Sequence, residues 1–250
     1  MPSSAETIRL EGNGTVKVGR GSPLVIERCT PGSFSDVHVR MLADQRARAA
    51  GELPHDQLLL FSPDPVVTLG SGADAASDLL IAKEEYAERG VTLTTVDRGG
   101  EATYHGPGQR VGYLNLALGE EERDLHRLLR AVEEGLIATL ATFGIEGSTI
   151  DGKTGVWIED RKIASIGLSV RRWVTGHGFA LCVAGDLEPF SWIVPCGLRD
   201  CRYTSIESEL GSAPDRDELD RTLARELGRT LDRVPTPSEL DDSTSGEELR

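Results

Sequence analysis

Seven apolar side chains in residues 125–143, Leu125, Leu128, Leu129, Val132, Leu136, Ile137 and Leu140, fall on one face of a helix. A helix with a single apolar stripe persists only when another layer covers that stripe. Gly144 supplies its stop. The surrounding segments read as the covering layer. Downstream, Gly155-Val156-Trp157-Ile158, residues 162–168 and residues 178–183 have the composition of successive strands, with Glu159-Asp160-Arg161 as the turn between the first two. Upstream, Leu58-Leu59-Leu60-Phe61, Val66-Val67-Thr68-Leu69, residues 91–96 and residues 110–118 read the same way. Helical composition returns at 34–50, 79–89 and 215–233. The pattern predicts an α/β (α+β) fold, a mixed or antiparallel sheet with helices packed on it.

Residues 34–233 contain no internal repeat and no linker, so they read as a single domain. Residues 1–33 form an N-terminal extension rich in Gly and Ser, with strand-like runs at 15–18 and 24–27. Residues 234–250 are a disordered acidic tail in this reading. A chain of 250 residues buries enough core to fold without a disulfide or metal staple. Acidic residues outnumber basic ones by 41 to 27, a formal charge of −14, which argues against a nucleic-acid partner. Residues 151–203 are locally different, with seven bases against six acids, and so admit an acidic partner. No apolar run is long enough to span a membrane, and the N-terminus lacks the pattern of a secretory signal. Cys29, Cys182, Cys196 and Cys201 are too irregular for a disulfide framework, which favours the reducing cytoplasm. Cys196 and Cys201 have no second pair to complete a zinc site, so no metal is expected.

Four segments carry groups able to do chemistry. Residues 98–109 combine four glycines with Arg98, Thr103, Tyr104, His105 and Gln109. Glycine lets backbone approach a ligand where a Cβ would clash. The segment lacks the Gly-Lys-Ser/Thr ending of a phosphate loop, and a strand rather than a helix follows it, unlike a dinucleotide fingerprint. By composition alone it is equally a long glycine-rich turn. Lys162 opens a strand of small and apolar residues, so it either reaches water or enters a pocket. Cys196 sits between Pro195 and Gly197, which suits an accessible nucleophile if a positive neighbour ionises it. Cys29 and Cys182 read as inert buried thiols. In His177-Gly178-Phe179-Ala180-Leu181, small residues and an aromatic ring suit an alkyl chain, while His177 reads equally as a core histidine.

Together these segments resemble the octanoyltransferases of lipoate biosynthesis, over about residues 34–210. The matching pieces are Arg98-Gly-Gly-Glu-Ala-Thr-Tyr-His-Gly-Pro-Gly-Gln109, Gly155-Val-Trp157, Lys162-Ile-Ala-Ser-Ile-Gly167, Arg172-Trp-Val-Thr175, His177-Gly-Phe-Ala-Leu181 and Val194-Pro-Cys-Gly197. The resemblance implies a fold similar to the biotin and lipoate protein ligase catalytic domain, with helices packed to one side of the sheet. It implies transfer of an octanoyl group from octanoyl-acyl carrier protein to a lysine of a lipoyl domain. Acceptors of that kind belong to 2-oxoacid dehydrogenase complexes or are the glycine cleavage carrier protein. The donor thioester is already activated, so no cofactor is implied. Cys196 would carry the acyl group as a thioester, and Lys162 would favour its thiolate and then handle protons. Arg98, Gly99, Gly100, Glu101, Ala102, Thr103, Tyr104 and His105, with Ser165, Ile166, Gly167, Gly178, Phe179 and Ala180, would shape the substrate pocket.

The chain departs from that family at three points. Pro63-Asp64-Pro65 stands where a His-Pro-Pro stretch is usual, Ser71 where an arginine is usual, and Cys182 where an asparagine is usual. Two other functions compete with acyl transfer from a carrier thioester. An ATP-dependent lipoate ligase of the same fold would use Lys162 and dispense with Cys196. A non-catalytic relative would bind lipoyl domains or carriers without turnover. A cysteine protease is disfavoured because Lys162 rather than a histidine would partner Cys196, and no Cys/His/Asn order is convincing.

Overall fold

A computed structural model describes residues 6–9, 15–29, 33–195 and 201–237. Strands β1 (Glu6–Arg9) and β2 (Thr15–Val18) pair as a separate hairpin. Strand β3 (Ser22–Arg28), helix α1 (Phe34–Ala50), strands β4 (Asp56–Phe61) and β5 (Val66–Leu69), and short helices α2 (Ala75–Asp78) and α3 (Lys83–Glu88) follow. Next come β6 (Thr92–Thr95), β7 (Ala102–His105), β8 (Gln109–Asn115) and the long helix α4 (Leu125–Thr142). The remaining elements are β9 (Ser148–Ile150), β10 (Lys153–Ile158), β11 (Arg161–Arg171), β12 (Val174–Cys182), β13 (Arg202–Tyr203), α5 (Ile206–Leu210), α6 (Arg216–Thr230) and β14 (Arg233–Pro237).

Among the described residues the main sheet runs β14-β3-β4-β8-β12-β11-β10-β9, with β13 added beside the start of β11. It is mixed: β3 is parallel to β14 and β4, whereas β4, β8, β12, β11 and β10 alternate antiparallel. Strand β4 shows why helices cover both faces. All six of its residues are buried. Successive side chains of a strand point to opposite faces. Leu58 and Leu60 enter a core with Val132, Leu136 and Leu140 of α4 and Leu219, Leu223 and Leu227 of α6. Leu59 and Phe61 enter a second core with Phe34, Val37 and Met41 of α1. The expectation of helices on one side only is therefore corrected. Leu125 also departs from the expected buried stripe: it is 45% exposed.

The sequence boundaries move at both ends. Ser22–Arg28, assigned to the extension, is an interior strand of the sheet, and Arg233–Pro237, mostly assigned to the tail, pairs with it in parallel. The local sequence carries no sign of this because the anchor is long-range. Arg233 donates from Nε to Asp56 at 2.6 Å and from Nη1 to Glu122 at 2.8 Å, and Arg48 donates to the other oxygen of Asp56 at 2.9 Å. The rest of the tail, residues 238–250, lies outside the described residues. The helix expected over 79–89 begins only at Lys83, because Leu79 bridges to Ile193 and the Leu80 N–H donates to the Trp192 carbonyl at 2.9 Å. Residues 98–109 are not one loop. Ala102–His105 is a strand that pairs antiparallel with β5, completing a small β6-β5-β7 sheet.

Asp64 has a structural task. The Phe34 N–H, at the first turn of α1, donates to its carboxylate at 2.5 Å, beside the capping Ser33. A carboxylate at a helix N-terminus satisfies an orphan donor and complements the helix dipole. Asp64→Ala is expected to lower stability by about 1 kcal/mol. The shift of the urea midpoint at constant slope measures it, and an unchanged midpoint would remove this role.

Candidate active site

The small sheet is held against β11 by backbone: the Gly99 N–H donates to the Leu168 carbonyl at 3.0 Å. Arg98 is buried and stiffens this junction, donating to the Thr68 carbonyl at 3.0 Å and to its hydroxyl at 2.7 Å. A narrow cleft of about 50 Å³, open to solvent, lies between the two sheets. Residues 98–103 and His105 form one wall, and Ser165, Ile166 and Gly167 of β11 with Gly178, Phe179 and Ala180 of β12 form the other. Thirteen of the fourteen residues expected to shape a substrate pocket come together here. Tyr104 is the exception. The two-residue period of β7 turns it to the opposite side, where it packs edge-on against Phe190 at 5.6 Å.

Close backbone approach explains two glycines. A Cβ on Gly178 would collide with the Gly112 carbonyl of the neighbouring strand, and one on Gly167 would stand 3.1 Å from the Arg98 Cδ. Without those side chains, Phe179 and the Arg98 stem can flank an elongated apolar guest.

Sequence reasoning missed Phe34, Val96, Val111 and Tyr113, and left His177 open; all five line the cavity. Phe34 stacks on His105 and Tyr113 meets His177 edge-on, with centroid distances of 5.6 Å in both pairs. Burial pushes the imidazoles of His105 and His177 down to about 3, so both are neutral at pH 7. Tyr113 is raised by the same desolvation. The Arg98 guanidinium lies near enough to act on all three rings, favouring the neutral imidazoles. The period-two alternation of β8 held the only sequence sign of Tyr113.

Lys162 is 1% exposed, a rare state for a lysine. Three features hold it. Its strand neighbour Trp157 puts an indole ring 5.3 Å from its Nζ. Gly155 has φ of 124° and no Cβ, and the position a Cβ would take is 2.6 Å from the Lys162 Cε. Tyr203 of β13 pairs with it on the other side. A second cavity of about 410 Å³ contains Lys162 and shares Gly99, Gly100, Glu101, Ile166 and Gly167 with the first. The two spaces are thus neighbours around one glycine-lined junction.

Cys196 lies outside the described residues, as do residues 197–200. The chain on either side is described. Pro195 bridges to Ala102 in the cavity wall, and Tyr203 bridges to Lys162. Cys182 is buried, and its thiol is pushed up to about 12 by desolvation, with the Lys162 ammonium opposing the rise. Cys29 is also raised by burial. Among the described residues no three His, Cys, Asp or Glu side chains converge as a metal site.

The model of the lipoyl protein ligase A/B catalytic domain matches residues 40–228. An octanoyltransferase of Geobacter metallireducens is 44% identical over 188 residues, covering 75% of this chain and 84% of its own. The chain belongs to the octanoyltransferase family. A second octanoyltransferase, from Geobacter sulfurreducens, is 41% identical and covers 81% of this chain and 85% of its own. The fold is shared more widely. The bi-partite lipoate protein ligase of Thermoplasma acidophilum superposes with a TM-score of 0.65 at 20% identity, covering 90% of each chain. In this octanoyltransferase-family chain, the family match spans Lys162, the position of Cys196 and, Phe34 apart, the lining of both cavities.

Proposed function

We propose that this chain takes an octanoyl group from octanoyl-acyl carrier protein onto Cys196 as a thioester and passes it to a lysine of a lipoyl domain in the cytoplasm. Membership of the octanoyltransferase family makes it an acyltransferase of lipoate biosynthesis. Among the described residues no helix is long and apolar enough to cross a membrane. The observation that carries the finer reading is the buried Lys162 side chain beside an apolar, glycine-lined cavity. Pro195, which precedes Cys196 in the sequence, bridges to Ala102 in the cavity wall.

The chemistry balances without a cofactor. The Cys196 thiolate attacks the donor carbonyl carbon, a C–S bond to the enzyme forms, and the C–S bond to the carrier breaks. The departing carrier thiolate takes a proton from Lys162. The Lys162 amine then accepts the proton of the acceptor lysine as a C–N bond forms and the C–S bond to Cys196 breaks. Backbone N–H groups of the glycine-rich segment and beside Cys196 would hold the developing oxyanion. The apolar walls formed by residues 98–105, 165–167 and 178–180, Tyr104 apart, would receive the alkyl chain and limit hydrolysis of the thioester. The acceptors expected are lipoyl domains of 2-oxoacid dehydrogenase complexes or the glycine cleavage carrier protein.

Intact mass after mixing with octanoyl-acyl carrier protein tests the proposal. Wild type is expected to gain one octanoyl group, labile to hydroxylamine, and Cys196→Ser to lose that labile adduct. No adduct on wild type, or an equally labile adduct on Cys196→Ser, refutes it.

A further inference from the structure

The second cavity has features that the acyl chain does not use. Lys153 lies at its mouth, exposed, with its Nζ 5.4 Å from the centroid of the same Trp157 ring that Lys162 faces. The two ammonium groups are therefore within roughly 11 Å of each other, about one Debye length at 0.1 M salt. Among the described residues Lys153 has no ion-pair partner, although the chain carries a net charge of −14. Glu101 is the one acid in the lining. Leu125 and Leu129 of α4 also line the cavity, and Leu125 is 45% exposed there. An apolar patch, a cation at the mouth and a second cation inside suit a flexible ligand with a branched aliphatic portion next to an anionic phosphate.

We propose that this cavity is the entry channel for the phosphopantetheine arm of the acyl donor, with Lys153 binding its phosphate and Leu125 and Leu129 packing on the adjacent dimethyl carbon. The inference rests on the transfer reading above, because the acyl-carrier-protein donor of that reading brings such an arm. It adds a site and a ligand group to that reading. The shared junction at Gly99, Gly100, Glu101, Ile166 and Gly167 would let the arm enter through one space while the acyl chain occupies the other. A charge-assisted contact to phosphate at a partly screened mouth is a modest, measurable effect.

Two small donors isolate the phosphate: octanoyl-4′-phosphopantetheine and octanoyl-pantetheine. Cys196 acylation, read by intact mass, is expected to saturate at about tenfold lower concentration with the phosphorylated donor. Lys153→Ala should bring the two donors to within about twofold of each other, and Lys153→Arg should keep most of the preference. No preference in wild type, or a preference that survives Lys153→Ala, overturns the proposal. Calorimetry with unacylated 4′-phosphopantetheine needs no acyl transfer. Lys153→Ala is expected to weaken that binding at least about fivefold. Equal affinity of the two proteins overturns the assignment, and so does tight binding of ATP with none of phosphopantetheine. If phosphopantetheine binds through Lys153 but octanoyl-acyl carrier protein leaves no adduct on Cys196, the channel stands and the transfer reading fails.

Discussion

Cys196→Ala is expected to reduce octanoyl transfer to a lipoyl-domain lysine by on the order of 10⁴-fold or more, the scale seen when a covalent nucleophile is removed from its constellation. Direct attack of an acceptor amine on the carrier thioester would be all that remains, and it forgoes the two-step route. Single-turnover transfer followed by mass spectrometry measures the loss. Cys182 is the informative control, because its burial near Lys162 makes it the rival thiol. With its thiol pushed up to about 12 by burial, Cys182 is held protonated at pH 7. Cys182→Ala should therefore retain transfer and the labile octanoyl adduct. Activity lost in Cys182→Ala and kept in Cys196→Ala would reverse the assignment. ATP-dependent transfer that survives Cys196→Ala would instead favour a ligase.

What the sequence made legible was periodic. The apolar spacing of α4 and the composition of α1 matched the helices found at Leu125–Thr142 and Phe34–Ala50. The uninterrupted apolar run at 58–61 marked a strand buried on both faces. The glycine-rich segment and the small residues of β11 and β12 meet in one cavity, where a Cβ on Gly178 would strike the Gly112 carbonyl and one on Gly167 would crowd Arg98 and the Gly99 carbonyl. What stayed hidden depended on partners far along the chain. The pairing of β14 with β3 rests on Arg233 reaching Asp56, 177 positions away. Ala102–His105 becomes a strand because β5 offers it an edge, and that strand geometry turns Tyr104 away from the site. The burial of Lys162 had a local sign only in hindsight: Gly155, with its positive φ, clears space for the lysine stem across the β10–β11 pair.

Lys162→Met is expected to separate the two duties given to this lysine. Methionine keeps an apolar stem beside Trp157 and Gly155, so the packing loss is small, while the ammonium is removed. Transfer should fall by roughly 10²–10⁴-fold, the range for loss of a positioned acid or base. Alkylation of Cys196 at neutral pH should also slow. Without an adjacent positive charge the thiol pKa rises, so the pH–alkylation curve moves to higher pH. Lys162→Arg retains a cation but cannot give up its proton in a protein. It should therefore preserve much of the alkylation rate while transfer stays low. A merely structural lysine would show neither the shifted alkylation curve nor the difference between Met and Arg. Wild-type alkylation in Lys162→Met would end the electrostatic role, and full transfer in Lys162→Arg would end the role in proton transfer. Both readouts use the same protein samples, and thermal unfolding of each variant confirms that chemistry rather than folding has changed.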